Sequence, residues 1–149
     1  MPPSNSLTEL EHWDVDPADA SAVFLALGGL LPHGFAIGVL GGGGTESALR
    51  PYRVDPSVLP LERCPEDFAR ADWYRATPDA LATLADLTQH HAAPELFIHV
   101  FAAGPDGSLL EWWDAPDDPL ALAGWLPQRA VASFARAVGS SFRRARAGS

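Results

Sequence analysis

Apolar residues along this chain recur with two periods, and the switches between them mark its elements. Trp13 and Val15 alternate with His12, Asp14 and Asp16, the period of two of a half-buried strand. Asp16 then reads as a helix cap with Pro17 at the first helical position, and Ala20, Val23, Phe24, Leu27 and Leu31 follow at helical spacing. Gly28 and Gly29 weaken that helix toward its end. The apolar run from Phe35 to Leu40 is bounded by glycine, which predicts a buried strand. Residues 41–67 are rich in Gly and Pro and predict little beyond one helical turn near residues 46–50. Residues 72–76, with Trp73 and Tyr74, read as another strand.

Thr77-Pro78-Asp79 is a helix start, after which Leu81, Leu84, Ala85, Thr88 and His91 share one face. His90 and His91 suit the negative end of the helix dipole. Two apolar runs, residues 95–103 and 108–114, flank Gly104-Pro105-Asp106-Gly107, which predicts a β-hairpin. His99 is the one polar residue between Leu96 and Ala103, so the first hairpin strand reads as central. Asp117-Asp118-Pro119 reads as the cap of a short helical piece stopping at Gly124. Pro127 opens a last helix, with Leu126, Ala130, Phe134 and Val138 inward and Gly139 ending it. Arg129, Arg136 and Arg143 would line one outward face if that helix ran on. These elements predict an α+β domain over residues 1–139, a two-layer sandwich. Its largely antiparallel sheet would have three to five strands, with helices mainly on one face. Residues 140–149 read as a basic, flexible C-terminal tail. The second sheet face must be covered or bind something.

Composition narrows the function classes. In 149 residues, 47% apolar and 19% charged, the net charge is −9 and the pI about 4.8, a field that repels nucleic acid and anionic membranes. Residues 124–149 nevertheless hold five arginines and no acid, so an acidic body carries a basic end. All ten basic residues are arginine, a skew that fits a G+C-rich bacterial genome. The stretch 20–45 lacks any charge and exceeds a membrane span in length, but residues 31–34 and the glycines at 41–44 break it into pieces too short to cross. One cysteine, Cys64, allows no internal disulfide and no paired-thiolate zinc site, which fits the cytoplasm.

The candidate chemistry is sparse. The glycine run 41–44 follows a strand as a phosphate loop would, yet lysine is missing where a Walker motif needs it and Glu46 falls where a dinucleotide fingerprint needs its third glycine. It reads as a flexible connection. Cys64 has no local group to lower its pKa, and no serine sits in a nucleophile elbow. Adjacent His90 and His91 point about 100° apart on a helix and do not share a metal. His12, Asp14 and Asp16 would face one way on a strand, but Asp16 is taken as a cap, so no metal or cofactor is assigned.

His99 is the position where a titratable group enters an apolar strand. A three-residue loop with a glycine bulge would put Trp113 across from it and Glu111 on the diagonal. A turn pairing Ala103 with Ser108 would instead put Trp112 across and Asp114 on the diagonal. Trp112 and Trp113 are neighbours on a strand, so one packs under the helices and the other faces away, near Asp114, Asp117 and Asp118. An aromatic patch rimmed by acids suits a basic protein partner or self-association across the second sheet face. The leading expectation is a small acidic, cytoplasmic interaction or regulatory domain, immunity- or adaptor-like, without catalytic activity. Its binding residues would be Trp112, Trp113, Asp114, Asp117 and Asp118. The alternative is a small-molecule-binding protein or enzyme with a pocket beside His99, where Glu111 or Asp114 orients the imidazole.

Overall fold

A computed structural model describes residues 6–31, 34–115 and 117–146. Pro32 and His33, where the uncharged stretch was expected to break, lie outside them. Eight strands form one sheet: β1 (His12–Val15), β2 (Ala36–Leu40), β3 (Arg53–Val54), β4 (Asp72–Arg75), β5 (His99–Gly104), β6 (Gly107–Trp112), β7 (Leu120–Ala123) and β8 (Phe142–Ala145). Their order is β3-β4-β2-β5-β6-β7-β1-β8, and every pairing is antiparallel. The helices are α1 (Ala20–Leu30), α2 (Glu46–Leu49), α3 (Pro78–His90), α4 (Ala93–Leu96) and α5 (Gln128–Ala137). The α+β class and antiparallel pairing follow the sequence pattern; the sheet is larger than the three to five strands expected.

Side chains alternate across each strand, and the two faces bury different partners. Val15, Ile37, Val100, Trp112 and Leu122 share one core with Phe24 and Leu27 of α1, Leu84 of α3 and Phe134 of α5. α1 packs between α3 and α5. On the opposite face, Trp73, Phe101 and Ala103 pack with Cys64, Phe68 and Ala71 from the segment before β4. A short 3₁₀ turn, Leu7–Glu9, capped by Ser6, covers that face beside β6 and β7.

Three expectations are corrected. The α1 cap is Asp19, whose carboxylate accepts from the Ser21 amide at 3.0 Å, and not Asp16 three residues earlier. The piece after Pro119 is the strand β7, because Leu120 and Leu122 enter the helix-side core while Ala121 and Ala123 stay small on the other face. The stretch placed in a loose tail from residue 140 includes β8, which pairs with β1, so the sheet runs past the expected boundary at 139. Phe142 meets Trp13 edge-on at 5.8 Å, and the Arg144 guanidinium lies 4.7 Å from the Trp13 ring. Arg143 pairs with Asp14, and Arg144 and Arg146 pair with Glu11. The basic end is therefore folded onto the acids of the N-terminal segment.

Candidate functional site

The hairpin resolves the register in a way that combines both alternatives. Ala103 pairs with Ser108 at the turn, yet a bulge at Leu109 shifts the ladder so that Val100 pairs with Trp112 and Phe101 with Glu111. The next step sets Trp113 beside His99, with ring centroids 5.0 Å apart and edge-on. Trp112 is fully buried among the helix-side residues, its Nε1–H donating to the Asp118 carbonyl at 2.8 Å. It is not available to a partner, which removes it from the expected binding set.

On the opposite face Trp73, Phe68, Phe101, Trp113 and His99 form an aromatic row, with successive centroids 5.5, 4.3, 4.8 and 5.0 Å apart. These distances suit stacked and edge-to-face packing, which fixes ring orientation. Trp113 and His99 end the row, both half-buried, with Asp114 exposed just beyond Trp113.

Glu111 is wholly buried and accepts four hydrogen bonds. Its Oε1 takes Ser6 Oγ at 2.5 Å and Trp113 Nε1 at 3.0 Å; its Oε2 takes the Leu7 amide at 2.7 Å and Ser108 Oγ at 2.9 Å. A buried carboxylate without a cation persists only when such donors replace water. Glu111 therefore ties the N-terminal turn to the sheet and sets the Trp113 indole, and does not orient His99. Ala121, beside Glu111 in β7, leaves room for the turn to approach. Ser6 and Leu7 were not anticipated; the Ser6-Leu7-Thr8-Glu9 run has the Ser-x-x-Glu form of a capping sequence and was the available signal.

His99 accepts from the Asp114 backbone amide at Nδ1, 2.9 Å away, so the ring proton sits on Nε2 in this arrangement. Asp114 thus holds the imidazole with its main chain, not its carboxylate. It does so at φ +53°, a left-handed conformation that Asp tolerates. The Asp114 carbonyl accepts from the amides of Asp117 and Asp118 at 3.0 and 3.3 Å, and this turn carries three exposed carboxylates. Ile98, 48% exposed, lies next to it, its carbonyl accepting from the Ala115 amide.

The remaining candidates sit in packed or paired surroundings. Gly41, Gly42 and Gly43 adopt φ of +85°, +75° and +89°, and the Gly44 amide donates to the Glu95 carbonyl at 2.9 Å. A Cβ on Gly42 would lie 2.5 Å from the Leu96 carbonyl carbon, so the run expected to be a flexible connection is closely packed on the α4 backbone. Burial pushes the Cys64 thiol up to about 12, with the charges of Glu111 and Glu62 adding to it. His12 and Asp14 do face one way, 3.0 Å apart, with Asp14 also bound by Arg143. Among the described residues no group of three or more His, Cys, Asp or Glu is placed to hold a metal ion. Among them, too, no helix is long and apolar enough to cross a membrane. Open clefts lie between α1 and α5, between α1 and α3, between residues 60–63 and 105–107, and between the N-terminal turn, Trp125 and Arg144; His99 lines none of these four. Comparison with protein-family models, curated proteins and solved structures finds no match.

Proposed function

We propose that this chain is an acidic interaction module of the cytoplasm, adaptor- or immunity-like, that engages a basic partner protein without chemistry of its own. The observation that carries the reading is the end of the aromatic row. Trp113 is fixed by Glu111 and by packing on Phe101 and His99, leaves part of its ring open, and is followed at once by exposed Asp114, Asp117 and Asp118. A rigid indole loses little entropy on binding and is a favoured anchor at interface centres. Carboxylates around it speed encounter with a basic surface and order the rim. Three arginines lie away from it at the β8 edge of the sheet, where Arg143, Arg144 and Arg146 meet Asp14 and Glu11. The small-molecule reading has less support, since Glu111 is fully engaged elsewhere and the Asp114 carboxylate is exposed.

The test is capture from the native host with the wild type, with Trp113→Ala and with Asp114→Asn/Asp117→Asn/Asp118→Asn. Asn suits the left-handed position at 114, so the triple variant retains the turn. The expected result is a basic protein bound by the wild type, its association rate falling with salt and by about tenfold in the triple variant. Equal capture by all three proteins, or a partner whose association ignores salt, would refute the proposal.

A further inference from the structure

We infer that two copies of this chain associate through the helix face centred on α1, about a twofold axis running along that helix. In α1, Ser21, Val23, Phe24, Leu27 and Leu30 are buried, which at 100° per residue turns Ala22, Leu25, Ala26 and Gly29 outward. No charge occurs anywhere on the helix, and Leu25 stands 59% exposed at its middle, where a surface helix carries polar residues. On each side of Leu25 lies an open cleft. One, of about 450 Å³, runs toward Ala130, Phe134 and Ala137 of α5, with Arg129 and Ser133 at its rim. The other, of about 330 Å³, runs toward Leu81 of α3. A twofold axis along this ridge sets the two Leu25 side chains against each other, with a cleft on either side to take them.

Charge selects the occupant and the axis. α3 turns Asp79 and Asp86 to solvent, opposite its buried Ala80, Leu81, Leu84 and Ala85. α5 turns Arg129 and Arg136 to solvent, opposite Val131, Phe134 and Ala135, and among the described residues neither arginine has a carboxylate partner. Among the described residues Asp86 pairs with His90 alone, at 3.5 Å. Each pair is seven residues apart, about 10.5 Å along its helix at ~1.5 Å per residue, so the spacings match. A twofold axis along α1 lays α3 of each copy over α5 of its partner and joins acid to base on both flanks. An axis across α1 would stack α3 on α3 and α5 on α5, acid on acid. The face measures roughly 16 Å by 28 Å at ~1.5 Å rise per residue and ~9 Å between helices. Two such faces bury about 900 Å², below the roughly 1,200 Å² of a standard specific interface, so the dimer is weak and concentration-dependent.

Sedimentation equilibrium of the full chain at low salt tests this. The expected mass rises with concentration from 15.9 kDa toward twice that value. Leu25→Arg should raise the dissociation constant by roughly thirtyfold or more, the effect of losing an interface anchor. Arg129→Glu/Arg136→Glu should weaken association, and adding Asp79→Arg/Asp86→Arg to it should restore the wild-type mass. All five positions are exposed, and far-UV circular dichroism verifies that each variant is folded. A wild type that stays at 15.9 kDa at every concentration, or association unchanged by Leu25→Arg, overturns the dimer. Failure of the fourfold swap to restore association overturns the axis.

Discussion

Removing the Glu111 carboxylate should loosen the N-terminal turn and lower the stability of the whole domain. In Glu111→Ala the Ser6 and Ser108 hydroxyls can rotate, and Ser6 already lies 2.8 Å from the Thr8 hydroxyl. The Leu7 amide and the Trp113 indole N–H cannot turn away; a buried donor left without an acceptor costs about 1–3 kcal/mol, which applies in full to Leu7 and less to the half-buried Trp113. Opening of the turn to water limits the total, so the expected loss is about 2–4 kcal/mol, a large part of the roughly 5–15 kcal/mol that stabilises a domain. Glu111→Gln keeps the volume and one acceptor oxygen, but sets an NH₂ group against either the Leu7 or the Trp113 donor, for a loss of about 1–3 kcal/mol. Urea unfolding followed by tryptophan fluorescence gives both values. Hydrogen exchange at the Leu7 amide should accelerate in step. An alanine variant within about 0.5 kcal/mol of wild type, with the Leu7 amide still protected, would mean that Glu111 does not hold the turn.

Two further outcomes follow from the same packing. With its folded value at about 12 against an ordinary 9.0, the Cys64 thiol ionises more readily in the unfolded chain, so stability is unaffected by it below pH 9 and falls as pH rises from 9 toward 12. Burial raises the Tyr74 phenol too, with the same sign. At pH 8 iodoacetamide should label Cys64 slowly in the native protein and fast in urea; equal rates would refute its burial. Gly42→Ala should cost about 2–3 kcal/mol, since its Cβ meets the Leu96 and Phe97 backbone, while Gly43→Ala, with open space around it, pays only the left-handed backbone cost of about 1–2 kcal/mol. Equal thermal shifts in the two variants would show that the glycine run is not packed as described.

Local signals specify the structure where one segment carries its own pattern. Thr77 does cap α3, its hydroxyl accepting from the Ala80 amide, and the Gly104–Gly107 turn does join a hairpin with His99 and Trp113 side by side. What sequence left hidden depends on segments far apart. The bulge at Leu109 has no glycine to announce it, so the register stayed open. β7 spells Leu-Ala-Leu-Ala, which favours helix by propensity and becomes a strand because β1 and β6 flank it. β8 reads as a basic tail until Glu11, Asp14 and Trp13 supply its partners. The Glu111 site joins Ser6 to a residue 105 positions away, beyond the reach of any periodicity.

The placement of β1 between β7 and β8 also bears on how the chain is made. His12 finds its neighbours in Ala123 and Ala145, and Val15 in Leu120 and Phe142, all more than one hundred residues later. During synthesis β1 has no partner on either edge until residues 120–145 have followed it, whereas the hairpin can close on its own neighbours at once. Of the eight strands β1 therefore waits longest for its neighbours, and both of its ladders depend on the far end of the fold.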